Sequence, residues 1–314
     1  MLQYVIKRVL SLVPLLLLIS VLTFSMLDLT PGDPAELILR ERFGGEPPTQ
    51  TAIDALRREM GLDKPFLIRY LKWLHRALKG DFGDSFRTGE PVMDAIRSRL
   101  PNTMFLAFSS ITLSLLLAIP LGVISATKRG TPVDSLTLIG TLLLVSTPSF
   151  WLGLGLILIF SVYLGLFPVA GSESLVHFIL PTITLGVSLN AVTTRLTRAS
   201  MLEVINEDYI RTARAKGLNE GRVMYKHALR NALIPIVTYV ALQFRNLLGG
   251  VVFIEIVFGI RGLGSLLVDS IFLRDLPVVQ GCVLLFTVMT VLVNLGVDIS
   301  YVYINPQVRL EKGT

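Results

Sequence analysis

Ten charged side chains crowd the stretch from Glu203 to Arg230: Glu203, Glu207, Asp208, Arg211, Arg214, Lys216, Glu220, Arg222, Lys226 and Arg230. The rest of the chain is 52% hydrophobic. Such a mixture of cations and carboxylates suits a surface that holds a partner or an anionic lipid rather than a reacting centre. Elsewhere the chemistry-bearing types are too sparse for catalysis. No GxxxxGK[ST], HExxH or GxSxG occurs, which removes the phosphate-cradling loop, the zinc protease helix and the nucleophile elbow. Ser172 and His177 are close in sequence, but no third group orients them. The single Cys282 excludes an internal disulfide and a cysteine zinc site, and His75, His177 and His227 have no metal-ligand spacing. The expectation is a non-catalytic chain that binds no cofactor itself and acts by moving something or holding partners.

Within the charged stretch the order of residues suggests shape. Ser200 or Thr197 is expected to cap a helix from Met201 to Lys216, and Gly217 to end it in the left-handed conformation. Asn219 would cap a second helix from Glu220 toward Leu229. Val204, Tyr209, Ile210 and Ala213 supply an apolar face, and Arg211, Arg214 and Lys216 a basic one. Two readings stand: a solvated loop whose cations set topology and touch anionic lipid, or a compact docking knob.

The elements that must carry this stretch are membrane spans. Charge-free runs near the ~20 residues that cross a bilayer as a helix recur. They are Val9–Leu27, Leu100–Thr127, Ser135 to about Tyr163, about Phe178–Thr194 and about Val278–Val297, with a further apolar run, the fifth in chain order, Asn231 to about Phe258, that contains Arg245 and Glu255. The first, after Lys7-Arg8, is read as a retained span rather than a cleaved signal, because no small-residue cleavage site follows it. Pro148 is expected to kink the third. The runs are continuous rather than alternating, which argues against a β-barrel. The fold class is therefore an all-α membrane protein of six transmembrane helices.

Lys7-Arg8, Lys128-Arg129, the cations from Arg195 to Arg230, and Arg309 with Lys312 share one side. By the positive-inside rule that side and both termini are cytoplasmic. The +6 net charge then needs no nucleic acid. The organisation expected is a first span (1–29), a small, mostly helical extracytoplasmic domain (30–99), a transmembrane core (100–304) whose loop spans about 198–230, and a cytoplasmic tail (305–314). In the second part Ile53, Leu56, Met60, Leu67, Tyr70, Leu71, Leu74 and Leu78 recur at helical spacing, with Gly61 and Gly80 as stops.

Charged and polar residues inside spans are costly and mark function or helix pairing. Arg245 and Glu255 share the fifth run, ten residues apart, too far for a direct pair along one helix. Glu255 is placed to meet Arg261 for structure or gating. Asn294 and Asp298, one turn apart, are placed to bond helix to helix.

At "YIRTARAKGLNEGRVMYKHALRNALIP" the chain resembles the cytoplasmic EAA loop of ABC-importer permeases, in the form of the dipeptide, oligopeptide, nickel and glutathione branch. Aligned on Gly217, Arg211 and Thr212 stand where that loop has Glu and its first Ala, and Ala213 matches the second. His227 takes an Ile place, Leu229 matches, and Arg230 replaces Pro. "LTPGDPA", "GLDKP", "KGDFGDSF", "ILPTITLG", "VVFIEIVFGIRGLGSLLVDSI" and "VDISYVYINPQVR" extend the likeness along the chain. The resemblance implies one half of a translocation pathway, with a homologous second permease subunit, two cytoplasmic ATPases that hold the ATP and magnesium, and an extracytoplasmic solute-binding protein. It makes Glu207, Tyr209, Ile210, Arg211, Thr212, Ala213, Arg214 and Gly217 the ATPase-coupling residues, the apolar face filling a groove on the ATPase. Arg245, Glu255, Asn294 and Asp298 become candidates for the pathway or its gating, Arg245 for ligand selectivity or for an interhelical ion pair. The ligand would be a dipeptide, oligopeptide or related solute, with glutathione or nickel as alternatives. A secondary transporter without ATP would show more spans and inverted repeats, and a scaffold would recruit a soluble partner without transport.

Overall fold

The computed structural model describes residues 2–29, 32–42, 46–59 and 61–304. The expected tail, 305–314, lies outside them, and of Arg245 and Asp298 only the backbone is described. Among the described residues regular structure is helical, apart from one antiparallel bridge between Asp84 and Pro91. In chain order the helices are α1 (Leu2–Leu29), α2 (Pro34–Arg42), α3 (Gln50–Glu59), α4 (Phe66–Ala77), α5 (Val92–Thr127), α6 (Pro132–Ser146) and α7 (Ser149–Leu156). Next come α8 (Ile179–Ile205), α9 (Asp208–Ala215), α10 (Glu220–Arg222), α11 (Leu229–Val257), α12 (Leu263–Phe272) and α13 (Leu276–Ile304). A π-helical turn, Ile157–Tyr163, extends α7, and another, Val223–Ala228, joins α10 to α11.

Among the described residues three helical segments are each long and apolar enough to cross a bilayer: Val92–Thr127, Leu175–Ile205 and Leu276–Gly296. Two further pairs qualify only as bent spans. Pro132–Ser146 and Ser149–Tyr163 meet at 101°, and Glu220–Phe244 and Gly249–Val257 at 60°. The kink expected at Pro148 is thus a right-angled break. Proline disfavours helical backbone in the residue before it, and Thr147 is extended (φ −96°, ψ 121°), so α6 ends there and α7 begins afresh after Pro148.

The described residues fall into two compact units, one within 2–101 with 262–292, the other of 102–261 with 293–304. In the first, Ala35 and Leu39 of α2 pack on Ile53 of α3, and Val92 and Ile96 of α5 on Leu263, Val278 and Cys282. Gly61 (φ +66°) and Gly80 (φ +81°) end helical segments, as the spacing predicts. The "GDFGDS" loop is held by carboxylates. Asp81 accepts from Arg76 Nε (2.7 Å) and Nη2 (3.0 Å) and from the Gly83 N–H (2.9 Å). The Arg76 guanidinium, aided by that N–H, holds the Asp81 carboxyl below the usual carboxylate range. Asp275, buried just before α13, accepts from the Ser85 hydroxyl and from the Phe86 N–H (3.1 Å).

In the second unit one core gathers Leu106 and Ala107 of α5, Leu180 and Leu185 of α8, and Leu247, Val251, Ile254 and Phe258 near the end of α11. A second core, around Met201 of α8, lies at the opposite end of α5.

Replacing Asp275 by Ala removes the acceptor shared by Ser85 and Phe86. Hydrogen bonds to a charged group each contribute about 1.5–3 kcal/mol, so the variant is expected to melt several degrees below wild type in detergent. An unchanged melting temperature would show that the loop does not depend on Asp275.

Candidate functional site

The charged stretch folds as helix, turn and helix, with different limits from those its residues suggest. Ser200 and Thr197 do not cap a helix: both are buried inside α8, which runs on to Ile205 because Met201, Leu202, Val204 and Ile205 continue its packing. The short helix α9 starts after Glu207. Gly217 ends this segment at φ +75°, a conformation that glycine adopts without strain. Asn219 caps the next helix as expected, its Oδ1 accepting from the Gly221 N–H at 2.9 Å. That second helix does not stop near Leu229 but passes through the π-helical turn into α11. Arg214 spans the turn with two bonds to Glu220, Nη2–Oε1 at 2.8 Å and Nε–Oε2 at 3.2 Å.

The apolar face of this knob is turned inward. Ile210 and Ala213 are buried with Val123 and Ala126 of α5, Met201 of α8, and Val223, Met224, Ala228 and Ala232, and Val204 packs at the edge. They are therefore not free to fill a groove on another protein, which corrects that expectation: an isolated turn of helix has no other place to bury them. The outward face is Glu207, Asp208, Tyr209, Arg211, Thr212, Arg214 and Lys216. Tyr209 is the large side chain left out, 41% exposed, its hydroxyl accepting from Asn231 Nδ2 at 2.6 Å.

Under the knob lies a group that charge counting treats only as a boundary. Asp134, at the start of α6, is 4% exposed. Its Oδ1 accepts from Arg198 Nε (2.7 Å) and the Ser125 hydroxyl (2.5 Å), and its Oδ2 from Arg198 Nη2 (2.8 Å) and the Gly130 N–H (3.0 Å). Bidentate pairing of this kind fixes geometry as well as charge. It ties the end of α5, the turn after it and the start of α6 to α8, close to the knob. Close packing supports the clasp: a Cβ on Gly122 of α5 would lie 2.5 Å from Thr197 Cβ and 2.8 Å from the Thr194 carbonyl of α8. Further along, Gln243 of α11 donates to the Leu189 carbonyl (3.1 Å) and accepts from Thr193 (3.2 Å), joining α8 to α11 through a polar side chain.

Among the residues chosen inside the spans, Glu255 lies at the other end of α11 from the knob. Glu255 is fully buried near the end of α11 and accepts from the Thr103 hydroxyl at 2.6 Å. The Ile260 N–H returns to the Glu255 carbonyl (2.8 Å), and Asn102 Nδ2 donates to the Arg261 carbonyl (2.8 Å), so this end of α11 is tied to α5. Asn294 is half-buried on α13. The side chains of Arg245 and Asp298 lie outside the described residues. Asp134, Arg198 and Gln243 were not anticipated as site residues; the one signal for the first two is a carboxylate and a guanidinium at the ends of neighbouring runs.

Breaking a buried pair by removing one partner costs about 3–5 kcal/mol, whereas replacing both by apolar groups is often near neutral. Asp134→Leu alone is therefore expected to destabilise the purified protein more than Asp134→Leu with Arg198→Met. Melting temperatures of the four forms test this, and additive losses would show that the two side chains are not coupled.

Residues 118–310 match the family described as "Binding-protein-dependent transport system inner membrane component", and residues 1–107 match its N-terminal counterpart. The chain is 45% identical over 309 residues to the glutathione transport system permease protein GsiC of Escherichia coli (strain K12), covering 98% of this chain and 99% of that one. The GsiC of Shigella flexneri serotype 5b (strain 8401) matches to the same extent. Among solved structures the fold is similar to the inward-facing MetNI methionine ABC transporter (TM-score 0.56, 19% identity, 68% of this chain and 97% of that one). It is also similar to an amino acid ABC transporter with histidines (TM-score 0.53, 16% identity, 66% and 93%). The chain belongs to the binding-protein-dependent transport system inner membrane components, the permeases of ABC importers.

Proposed function

We propose that this permease carries glutathione or peptides of similar size, and that it receives the work of ATP through the outward face of α9. The observation that carries the substrate reading is the 45% identity to a glutathione permease along nearly the whole of both chains. In this reading the chain crosses the membrane six times with both termini cytoplasmic, and α6 with α7 forms one broken span. It pairs with a homologous permease subunit, two ATPases and a solute-binding protein. The chain is non-catalytic and holds no cofactor; ATP and magnesium belong to the ATPases.

The geometry supports a mechanism of transmission. The ATPase grips Tyr209, Arg211, Thr212 and Arg214, with Glu207 at the helix start. Ile210 and Ala213 do not contact it; they seat the knob in its own core, so a displacement of α9 carries the ends of α5, α8 and α11 with it. Through Asp134 and Arg198 the start of α6 moves as well. When ATP binding draws two such knobs together, the helices change as a block, which biases the pathway between two arrangements. Glu255, Asn294, Asp298 and Arg245 would line or gate that pathway.

The test is reconstitution of the permease pair with its ATPases and binding protein in liposomes. ATP-dependent uptake of labelled glutathione is expected; uptake of longer peptides but not glutathione would overturn the substrate reading, and recovery of no ATPase with the tagged permease would overturn the coupling reading. Gly217→Pro and Ala213→Trp are expected to abolish uptake while the subunit still inserts. The first denies the turn its positive φ, and the second overfills a packed site, which costs about 1–3 kcal/mol or more. Wild-type uptake in either variant would show that the knob is not the coupling element.

A further inference from the structure

Helix α4 has three distinct sectors. One is docked on α1: the rings of Phe66, Tyr70 and Trp73 surround Phe24 at 5.2–5.7 Å between centroids, Tyr70 and Ser20 share a hydroxyl hydrogen bond of 2.8 Å, and Arg69 pairs with Asp28. The second carries Leu67 (62% exposed), Leu71 (53%) and, at its C-cap, Leu78 (80%). Leu67, Leu71 and Leu78 recur at helical spacing and make a continuous aliphatic stripe left uncovered among the described residues. The third sector, beside the stripe, carries Lys72, His75, Arg76 and Lys79. Arg76 is committed to Asp81, which leaves Lys72, His75 and Lys79 as the outward basic groups.

Depth decides what covers the stripe. Ser20 lies within the charge-free run of α1, seven residues before its end at Leu27, or about 10 Å along the axis. A helix hydrogen-bonded to Ser20 is therefore held beside a segment at membrane depth rather than above it. On α1 itself Leu18, Leu22 and Met26, on the side turned away from α4, are exposed as well, as expected of a segment at membrane depth. A stripe of leucines flanked by lysines is the pattern of a helix lying in the boundary between headgroups and acyl chains.

We propose that α4 is an interfacial anchor. Leu67, Leu71 and Leu78 lie among the acyl chains of the leaflet that α4 occupies, and Lys72 and Lys79 lie against the phosphates of anionic phospholipid. The proposed topology decides only that this is the extracytoplasmic leaflet; the anchor itself is read by depth, whichever side α4 is on. Through Phe24 and Asp28 it holds the first unit's helical segment at a constant height on the membrane. This gives a docking solute-binding protein a fixed surface.

Single cysteines at positions 67, 71, 75 and 79 carry a nitroxide label in the assembled transporter, in nanodiscs of phosphatidylethanolamine and phosphatidylglycerol. Native Cys282 is buried and stays unlabelled. Only variants that retain uptake are read. Collisions with oxygen are expected to exceed those with a neutral, water-soluble nickel chelate at 67 and 71, and the order to invert at 75 and 79. Nickel access at all four sites would overturn the anchor by placing α4 in water. Exclusion of both reagents at 67 and 71 would overturn it in favour of a protein partner. Native mass spectrometry reads the lipid: Lys72→Gln with Lys79→Gln is expected to retain on the order of twofold less phosphatidylglycerol than wild type, and equal retention would overturn the headgroup contact.

Discussion

A carboxylate withdrawn from water keeps its charge only if donors replace the water. Asp134 meets that demand with two guanidinium bonds, a hydroxyl and a backbone N–H, supplied by α8, α5 and the turn between α5 and α6. Each donor fixes one piece of backbone relative to the others. The shape of the knob end results: α5 approaches α8 closely enough that Gly122 cannot carry a side chain, Met201 packs with Val123, and a pocket of apolar surface opens that Ile210 and Ala213 fill. An amphipathic segment as short as α9 has little stability alone. It is a helix here because that pocket exists.

The same logic explains an inward-facing apolar stripe on a surface helix. Burying Ile210 and Ala213 in the chain itself ties the knob to the ends of α5 and α8 and leaves polar groups with Tyr209 on the outward face, the face proposed to meet the ATPase. Polar recognition suits a contact that must be set by position and charge. The Arg214–Glu220 pair across Gly217 adds little stability at such an exposed site, but it restricts how α9 turns relative to α10.

Much of this was legible in the residues. Hydropathy identified α5, α8 and α13, and local turn chemistry identified the stops at Gly61, Gly80 and Gly217 and the cap at Asn219. What it missed was long-range. Asp134 looks like the edge of a hydrophobic run, and its partner is 64 residues away. Ser85 and Asp275 are separated by 190 residues. Ser200 and Thr197 resemble caps, yet their neighbours keep packing and the helix runs through them. Periodicity placed Leu67, Leu71 and Leu78 on one stripe, but that stripe is uncovered among the described residues. A helical period says which residues share a face and nothing about what the face meets.

The break at Thr147–Pro148 carries a demand on its surroundings. Hydrocarbon offers no hydrogen bonds, so backbone that leaves its helical ladder at membrane depth is tolerated only against protein or a water-filled space. Leu142, Leu143 and Val145 before the break and Phe150 and Trp151 after it are exposed on the chain alone. Lipid is a good solvent for those side chains and a poor one for the peptide groups between them. In the proposed reading of α6 and α7 as one broken span, a neighbouring subunit would complete the solvation of this backbone as well as the pathway.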